Sequence, residues 1–337
     1  MFPISRINER TFTPTWSGEV FVCDIDRTYL ATRFSSLKGL ARIPFEFAID
    51  KQDIDGMVVL LREVRRGPAT ESRSTPLYFV SASPAQLRPV IERKMLLDEL
   101  EFDGTTFKDW VGVLASVRPR RLREQLGFKI TALLDGRREL PRAAVETLLG
   151  DDLETDALAF ALYADLLAGR LTPDQVQRAV VGQGVATDDA RAIADLHRTL
   201  IQPGAAPLAG VRRGYIRMER HATPETFLDY APHLRACRGA LQIALGLWDQ
   251  GSISQEGVVR VVEDLASRGW SSETLGERLH DACRRGLLGP AHAVALRDEL
   301  AARMMVSAGL ELPAIDARWA SAARVDPTRP WTPERYL

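Results

Sequence analysis

Val20-Phe21-Val22-Cys23-Asp24-Ile25-Asp26-Arg27-Thr28 is the stretch on which the fold turns. A short apolar run ends in two aspartates one residue apart. Side chains alternate along an extended backbone, so Asp24 and Asp26 point the same way, and Cys23 points to the opposite face as core. Two carboxylates held side by side repel each other. A divalent cation between them is one reason to keep them there, and a nucleophile beside a general acid is another.

Outward from this strand, the first half of the chain alternates between two patterns. A stretch to about Asp53 carries Phe34, Leu37, Leu40, Ile43, Phe45 and Phe47, and residues 30–55 are too few for a large separate cap. Met57, Val58, Leu60, Leu61 and Val64 form the apolar stripe of a helix running to Arg66 and ended by Gly67-Pro68. Leu77-Tyr78-Phe79-Val80 reads as a second buried strand. Ser83-Pro84 then reads as the cap and first position of a helix to about Leu97. Phe128-Lys129 opens another helix, and Ala143 to Leu149 forms a third apolar strand ending at Gly150. Strand, helix, strand, helix, strand predicts an α/β fold with a doubly wound parallel sheet. Such sheets bind ligands at the carboxyl ends of their strands, where Asp24, Ser81 and Asp151 all fall.

Three further elements accompany the aspartate pair. Ser81 follows the second strand, where a hydroxyl next to a helix N-terminus suits a phosphoryl oxygen. Ser81 and Ser83 can also simply cap the helix, which is the reading taken for Ser83. Lys129 is the cation that offsets a nucleophile and a phosphoryl group, with Lys108 as its rival. Gly150-Asp151-Asp152-Leu153-Glu154-Thr155-Asp156 is an acidic loop after the third strand. Mg²⁺ takes few protein carboxylates and completes its shell with water and phosphate. Asp151 is the expected ligand there, joining Asp24 and Asp26, while Asp156 holds the loop or a metal-bound water. Thr28 and Asp152 are supporting residues.

With all four elements, residues 18–168 resemble the haloacid dehalogenase (HAD) superfamily. Val80-Ser81-Ala82-Ser83-Pro84-Ala85-Gln86-Leu87 is similar to the Ser-Ala-Ser-Pro-x-Gln-Leu stretch of one phosphatidate phosphatase catalytic domain. That domain occurs in the fungal actin-patch protein and its bacterial relatives. Asp24-Ile25-Asp26, Phe102-Asp103-Gly104 and Gly150-Asp151 are similar too. The resemblance implies a Mg²⁺-dependent phosphatase in which Asp24 attacks phosphorus and Asp26 serves as acid, then base. It also implies phosphatidate, or another lipid phosphate at a membrane surface, as the leading substrate, with a soluble phosphoester as the alternative. Two departures stand out. Arg27 replaces a third acid, and the fourth element reads Gly-Asp-Asp-Leu-Glu-Thr-Asp in place of Gly-Asp-Ser-Gly-Glu-x-Asp.

From about Leu158 the pattern becomes helical. Three segments are expected: a phosphatase domain over 1–168, a helical domain over 169–312 and an irregular tail over 313–337. The helical part carries an internal echo. Gly169-Arg-Leu-Thr172-Pro-Asp174 resembles Gly251-Ser-Ile-Ser254-Gln-Glu256, and Gly184-Val-Ala-Thr187-Asp resembles Gly269-Trp-Ser-Ser272-Glu. Duplicated helical pairs build packing or binding surfaces. The alternative function is therefore a helical-repeat module that binds a protein partner on a catalytically silent HAD scaffold.

Composition narrows the classes further. Of 337 residues, 45% are apolar and 26% charged, with 44 basic against 45 acidic side chains. That is an ordinary globular balance with no net field toward nucleic acid or membrane. The N-terminal residues lack the apolar run of a signal peptide, and no window approaches a membrane span. Cys23, Cys237 and Cys283 are odd in number and lack metal-ligand spacing, so reduced thiols and a cytoplasmic location are expected. Arg118, Arg120, Arg121 and Arg123 can hold an anionic head group or form a solvated loop. Arg212, Arg213, Arg217 and Arg220, with Tyr215, form a second basic cluster, but so few interleaved aromatics disfavour nucleic acid. His221 and the other histidines are expected to be structural or exposed.

Overall fold

The computed structural model describes residues 2–31, 52–111, 124–153, 155–201, 207–219, 223–324, 326 and 328–337. The aromatic-rich stretch from Phe34 to Phe47, the Arg118–Arg123 cluster, Arg220 and His221 lie outside them.

Seven strands form one sheet in the order β1-β4-β3-β2-β5-β6-β7. They are β1 (Ile4–Asn8), β2 (Glu19–Asp24), β3 (Leu77–Pro84), β4 (Gly104–Lys108), β5 (Val145–Asp151), β6 (Val211–Arg217) and β7 (Leu234–Cys237). All pairings are parallel except that of β1 on β4. The chain steps from β2 outward through β3 to β4, then returns to lay β5 on the other side of β2. That reversal creates a crevice between the carboxyl ends of β2 and β5, the place where open α/β sheets take ligands.

Alternation along the strands divides the core in two. Phe21, Cys23, Phe79, Leu149, Tyr215 and Cys237 belong to one cluster. With them pack α1 (Met57–Arg66), α2 (Arg88–Leu97) and four later helices: α7 (Ala240–Asp249), α8 (Gln255–Ser267), α9 (Ser272–Arg284) and α10 (Pro290–Ala302). Val20, Val22, Val80, Leu148, Ile216 and Leu234 belong to the other cluster. This one includes α3 (Leu126–Arg137), α4 (Asp156–Leu167), α5 (Pro173–Gly182) and α6 (Thr187–Leu200). Helices thus cover both faces of the sheet. Cys23 is buried opposite the Val22 face, as alternation predicts, and all three cysteines are free and buried.

The structure corrects three expectations. The sheet crosses the boundary placed at residue 168, because β6 and β7 arise within the segment expected to be helical. Their arginines disguise them: Val211-Arg212-Arg213-Gly214-Tyr215-Ile216-Arg217 reads as a charge cluster, yet Gly214, Tyr215 and Ile216 are buried. Next, β3 runs on through Pro84, followed by a short 3₁₀ turn at Ala85–Leu87 before α2 begins at Arg88. Ser83 caps nothing. Finally, the tail is irregular but contains α11 (Ala317–Ala322) and a 3₁₀ turn at Glu334–Tyr336.

The echoed helices form with the capping the sequence implies at Thr172, which bonds Gln175 in a capping box, and at Ser254, which accepts from Gly257 N–H. Thr187 instead begins α6, with Ala186 at the cap, and Ser271 caps α9. The two pairs lie in different clusters on opposite faces of the sheet. On α8, Arg260 makes a bidentate pair with the buried Glu63 of α1, at 2.8 and 2.7 Å. Among the described residues no helix is long and apolar enough to cross a membrane.

The tail returns to the body at Trp331, whose ring stacks on His233 with centroids 4.5 Å apart. Burial, reinforced by Arg170, Arg213, Arg235 and Arg329, pushes the His233 imidazole down to about 4. The folded protein therefore keeps His233 neutral below pH 6.5, where the unfolded chain takes up a proton. Stability should fall as pH drops from about 6.5 to about 4, by roughly 1–2 kcal/mol after allowance for partial exposure. Denaturant unfolding of wild type and His233→Gln across this range is the check: the variant should lose less, and parallel curves would show that the ring titrates normally.

Candidate active site

The last residue of β2 is Asp24, on the side of the strand that Val20 and Val22 share. Beyond it the backbone closes a tight loop. Tyr29 and Leu30 N–H both donate to the Ile25 carbonyl, at 3.0 and 2.9 Å, and Arg27 N–H donates to Leu30 at 2.7 Å. Arg27 sits at φ 64°, a left-handed conformation that a side-chain-bearing residue adopts only under surrounding constraint. The constraint comes from β6 and the residues after it. Arg217 Nε donates to the Arg27 carbonyl at 2.6 Å, and Arg27 Nη1 pairs with Glu219 at 2.7 Å.

Asp26, two residues past Asp24, is held by β3. Ser81 Oγ and Ser83 Oγ both donate to its Oδ2, at 2.7 and 2.8 Å, and Ser83 N–H donates to Ser81 Oγ at 3.0 Å. The strand extension past Val80 is thus explained by Asp26. Ser81 lies within β3, three residues before its end, and its hydroxyl meets a carboxylate.

Lys129 comes from the first turn of α3. Its Nζ lies 2.9 Å from Asp24 Oδ1 and also pairs with Asp156 Oδ1. Asp156 is the first residue of α4, where the helix dipole favours an anion. Its other oxygen accepts from Asp151 N–H at 3.0 Å. Asp151 Oδ1 in turn accepts from Leu153 N–H at 2.6 Å, which folds the acidic loop over the end of β5. Gly150 makes this approach feasible, since a Cβ there would stand 2.4 Å from Asp156 Oδ2.

Carboxylate oxygens of Asp24, Asp151 and Asp156 all lie within 4.8 Å of one another, and all three residues are buried. This cluster can hold a metal ion. Its third member is Asp156 in place of the expected Asp26, because the two serines draw the Asp26 carboxylate toward β3. Lys108 is directed elsewhere: its ammonium donates to the Glu124 carbonyl at 2.7 Å and stands over the Phe2 and Phe128 rings. Asp152 supports the far rim, accepting from Glu219 N–H at 2.8 Å. Among the described residues the buried Thr28 hydroxyl has no hydrogen-bond partner.

Sequence reasoning missed Glu219 and misread Arg217. Of the basic residues expected to cluster, the three that are described are dispersed. Arg217 serves the site rim, Arg212 donates to the Gln250 carbonyl at 2.7 Å, Arg213 donates to the Pro232 carbonyl at 3.3 Å, and Tyr215 is core. The one signal available was Arg-x-Glu at the end of a β-like run.

Removing the ammonium leaves two buried carboxylates facing each other, so Lys129→Met should cost about 3–5 kcal/mol. Urea unfolding measures it, and a loss under about 1 kcal/mol would show that Lys129 does not hold Asp24 and Asp156 together. Comparison of this chain with protein-family models, with curated proteins and with solved structures finds no match.

Proposed function

We propose that this chain is a Mg²⁺-dependent phosphomonoester hydrolase working through an aspartyl-phosphate on Asp24, as the HAD resemblance implies. The observation that carries this reading is the position of Lys129. Its ammonium rests against Asp24 at the mouth of the β2/β5 crevice, beside Asp151, where it can hold a phosphoryl oxygen next to the carboxylate that attacks.

Asp24 forms the new bond to phosphorus as the ester oxygen leaves. Asp26, protonated for this step, gives its proton to that oxygen, so the alcohol departs neutral. Asp26, now a carboxylate, takes a proton from water, and the water oxygen attacks phosphorus and releases Asp24. Phosphate leaves and both aspartates return to their starting states. Ser81 and Ser83 fix the position of the Asp26 carboxyl by donating to Oδ2. Contact of Ser81 with a phosphoryl oxygen requires its hydroxyl to leave Asp26.

The donor set fits a hard cation, since every oxygen is a carboxylate. Asp24 and Asp151 would hold it, with Asp156 kept in place by Lys129 and the Asp151 amide. Bound Mg²⁺ would neutralise charge on the transferring phosphoryl group and orient it.

Phosphate release from p-nitrophenyl phosphate should require Mg²⁺ and fall at least about 10³-fold in Asp24→Asn. Mg²⁺ should also raise the melting temperature of the wild type, since it binds only the folded chain, and should do so far less in Asp151→Asn. A folded wild type that releases no phosphate from any monoester would overturn the proposal.

A further inference from the structure

Two buried hydroxyls converge on a single carboxylate oxygen. Ser81 and Ser83 both donate to Asp26 Oδ2, at 2.7 and 2.8 Å, and all three residues are buried. By sequence the two serines are equivalent, since residues two apart on a strand share a face. Their surroundings are not equivalent.

A bulge in β3 brings them together. Ser81 stands opposite Phe107 of β4 and Pro84 opposite Lys108, so β3 takes three steps where β4 takes one. Bulges bend a strand and re-aim its side chains. This one is pinned from outside, because the Trp110 indole N–H donates to the Ala82 carbonyl at 3.1 Å.

Within the bulge the two hydroxyls are bonded differently. Ser81 Oγ also accepts from Ser83 N–H at 3.0 Å, so its oxygen is anchored whichever way its hydrogen points. Rotation of that hydroxyl can carry the hydrogen from Asp26 to another acceptor while the oxygen stays in place. Ser83 Oγ lacks such an anchor: among the described residues its one hydrogen bond is the one to Asp26. Turning away would strand a buried hydroxyl, and buried polar groups keep their partners because an unmade bond there carries the full desolvation penalty.

Resting on the hydrolase reading, we infer that the two serines have separate tasks on Asp26. Ser83 is the positioning residue that keeps the Asp26 carboxyl aimed at the leaving oxygen throughout the reaction. Ser81 exchanges Asp26 for a phosphoryl oxygen when the ester binds. Proton delivery therefore depends on Ser83 and phosphoryl binding on Ser81.

Leaving groups separate these tasks. p-Nitrophenolate departs with little help from a proton, whereas the alkoxide of butyl phosphate needs one. Ser83→Ala should lower kcat/KM for butyl phosphate about tenfold more than for p-nitrophenyl phosphate. Ser81→Ala should lower kcat/KM for both esters by a similar factor, leaving their ratio within about twofold of wild type. The ratio is taken within one preparation, so a variant that is only less stable does not mimic the result. A ratio unmoved in Ser83→Ala, or moved as far in Ser81→Ala, would overturn the separation of tasks and leave the hydrolase reading intact. Hydrolysis of neither ester by the wild type would sink the hydrolase reading instead. Calorimetry with orthophosphate and Mg²⁺ then decides the serines alone. Binding weakened about fivefold or more in Ser81→Ala, and unchanged in Ser83→Ala, upholds their different tasks. Equal effects of the two variants, or no binding to the wild type, refute them.

Discussion

One buried ammonium joins three elements that the sequence separates widely. Lys129 Nζ meets Asp24 at the end of β2 and Asp156 at the start of α4, and Asp156 bonds the amide that ends β5. Taking such charges out of water costs several kcal/mol per ion, repaid only when geometry and additional hydrogen bonds are good. The arrangement is therefore a weak source of stability but a strong constraint on register. If β2, β5 or α3 slipped by one residue, buried charge would be left without its partner.

The sheet places this constraint where chemistry can use it. Because β3 and β5 flank β2, loops from both neighbours converge on Asp24 and Asp26 from opposite sides. β3 supplies hydroxyls to Asp26, and β5 supplies acids to Asp24. The two aspartates share a strand end yet face different partners. A carboxylate held by hydroxyls and one held by an ammonium sit in different environments, and the proposed division of roles between Asp26 and Asp24 rests on that asymmetry.

Much of this was legible in the sequence, for a physical reason. Asp24, Asp151 and Lys129 follow or open segments whose apolar runs mark them as buried, so a charged residue there announces a partner. β4 was not legible. Gly104-Thr105-Thr106-Phe107-Lys108 is polar, and it is buried only because distant groups satisfy it: Arg6 donates to Thr106 Oγ1 at 2.7 Å, and Thr105 Oγ1 donates to Glu92 at 2.9 Å. β6 was hidden in the same way by arginines whose acceptors lie on other elements. Nor could sequence show that Ser81 would turn to Asp26. A hydroxyl's choice between an anion and a carboxylate depends on tertiary distance, not on residue type.

The C-terminal half follows from the same constraint and is not an appendage. β6 covers the edge of β5 that would otherwise expose unpaired amides beside the acidic loop. Its final arginine holds the Arg27 carbonyl, and Glu219 just beyond holds the Arg27 guanidinium. The left-handed turn that aims Asp26 thus depends on residues nearly two hundred positions later. On the far face, Glu63 of α1 is buried only because α8 brings Arg260 to it. A chain cut after residue 168 would keep every acid of the cluster and lose what orients the Asp26 loop. The site is therefore a property of the whole sheet, although its acids and its lysine all lie before residue 160.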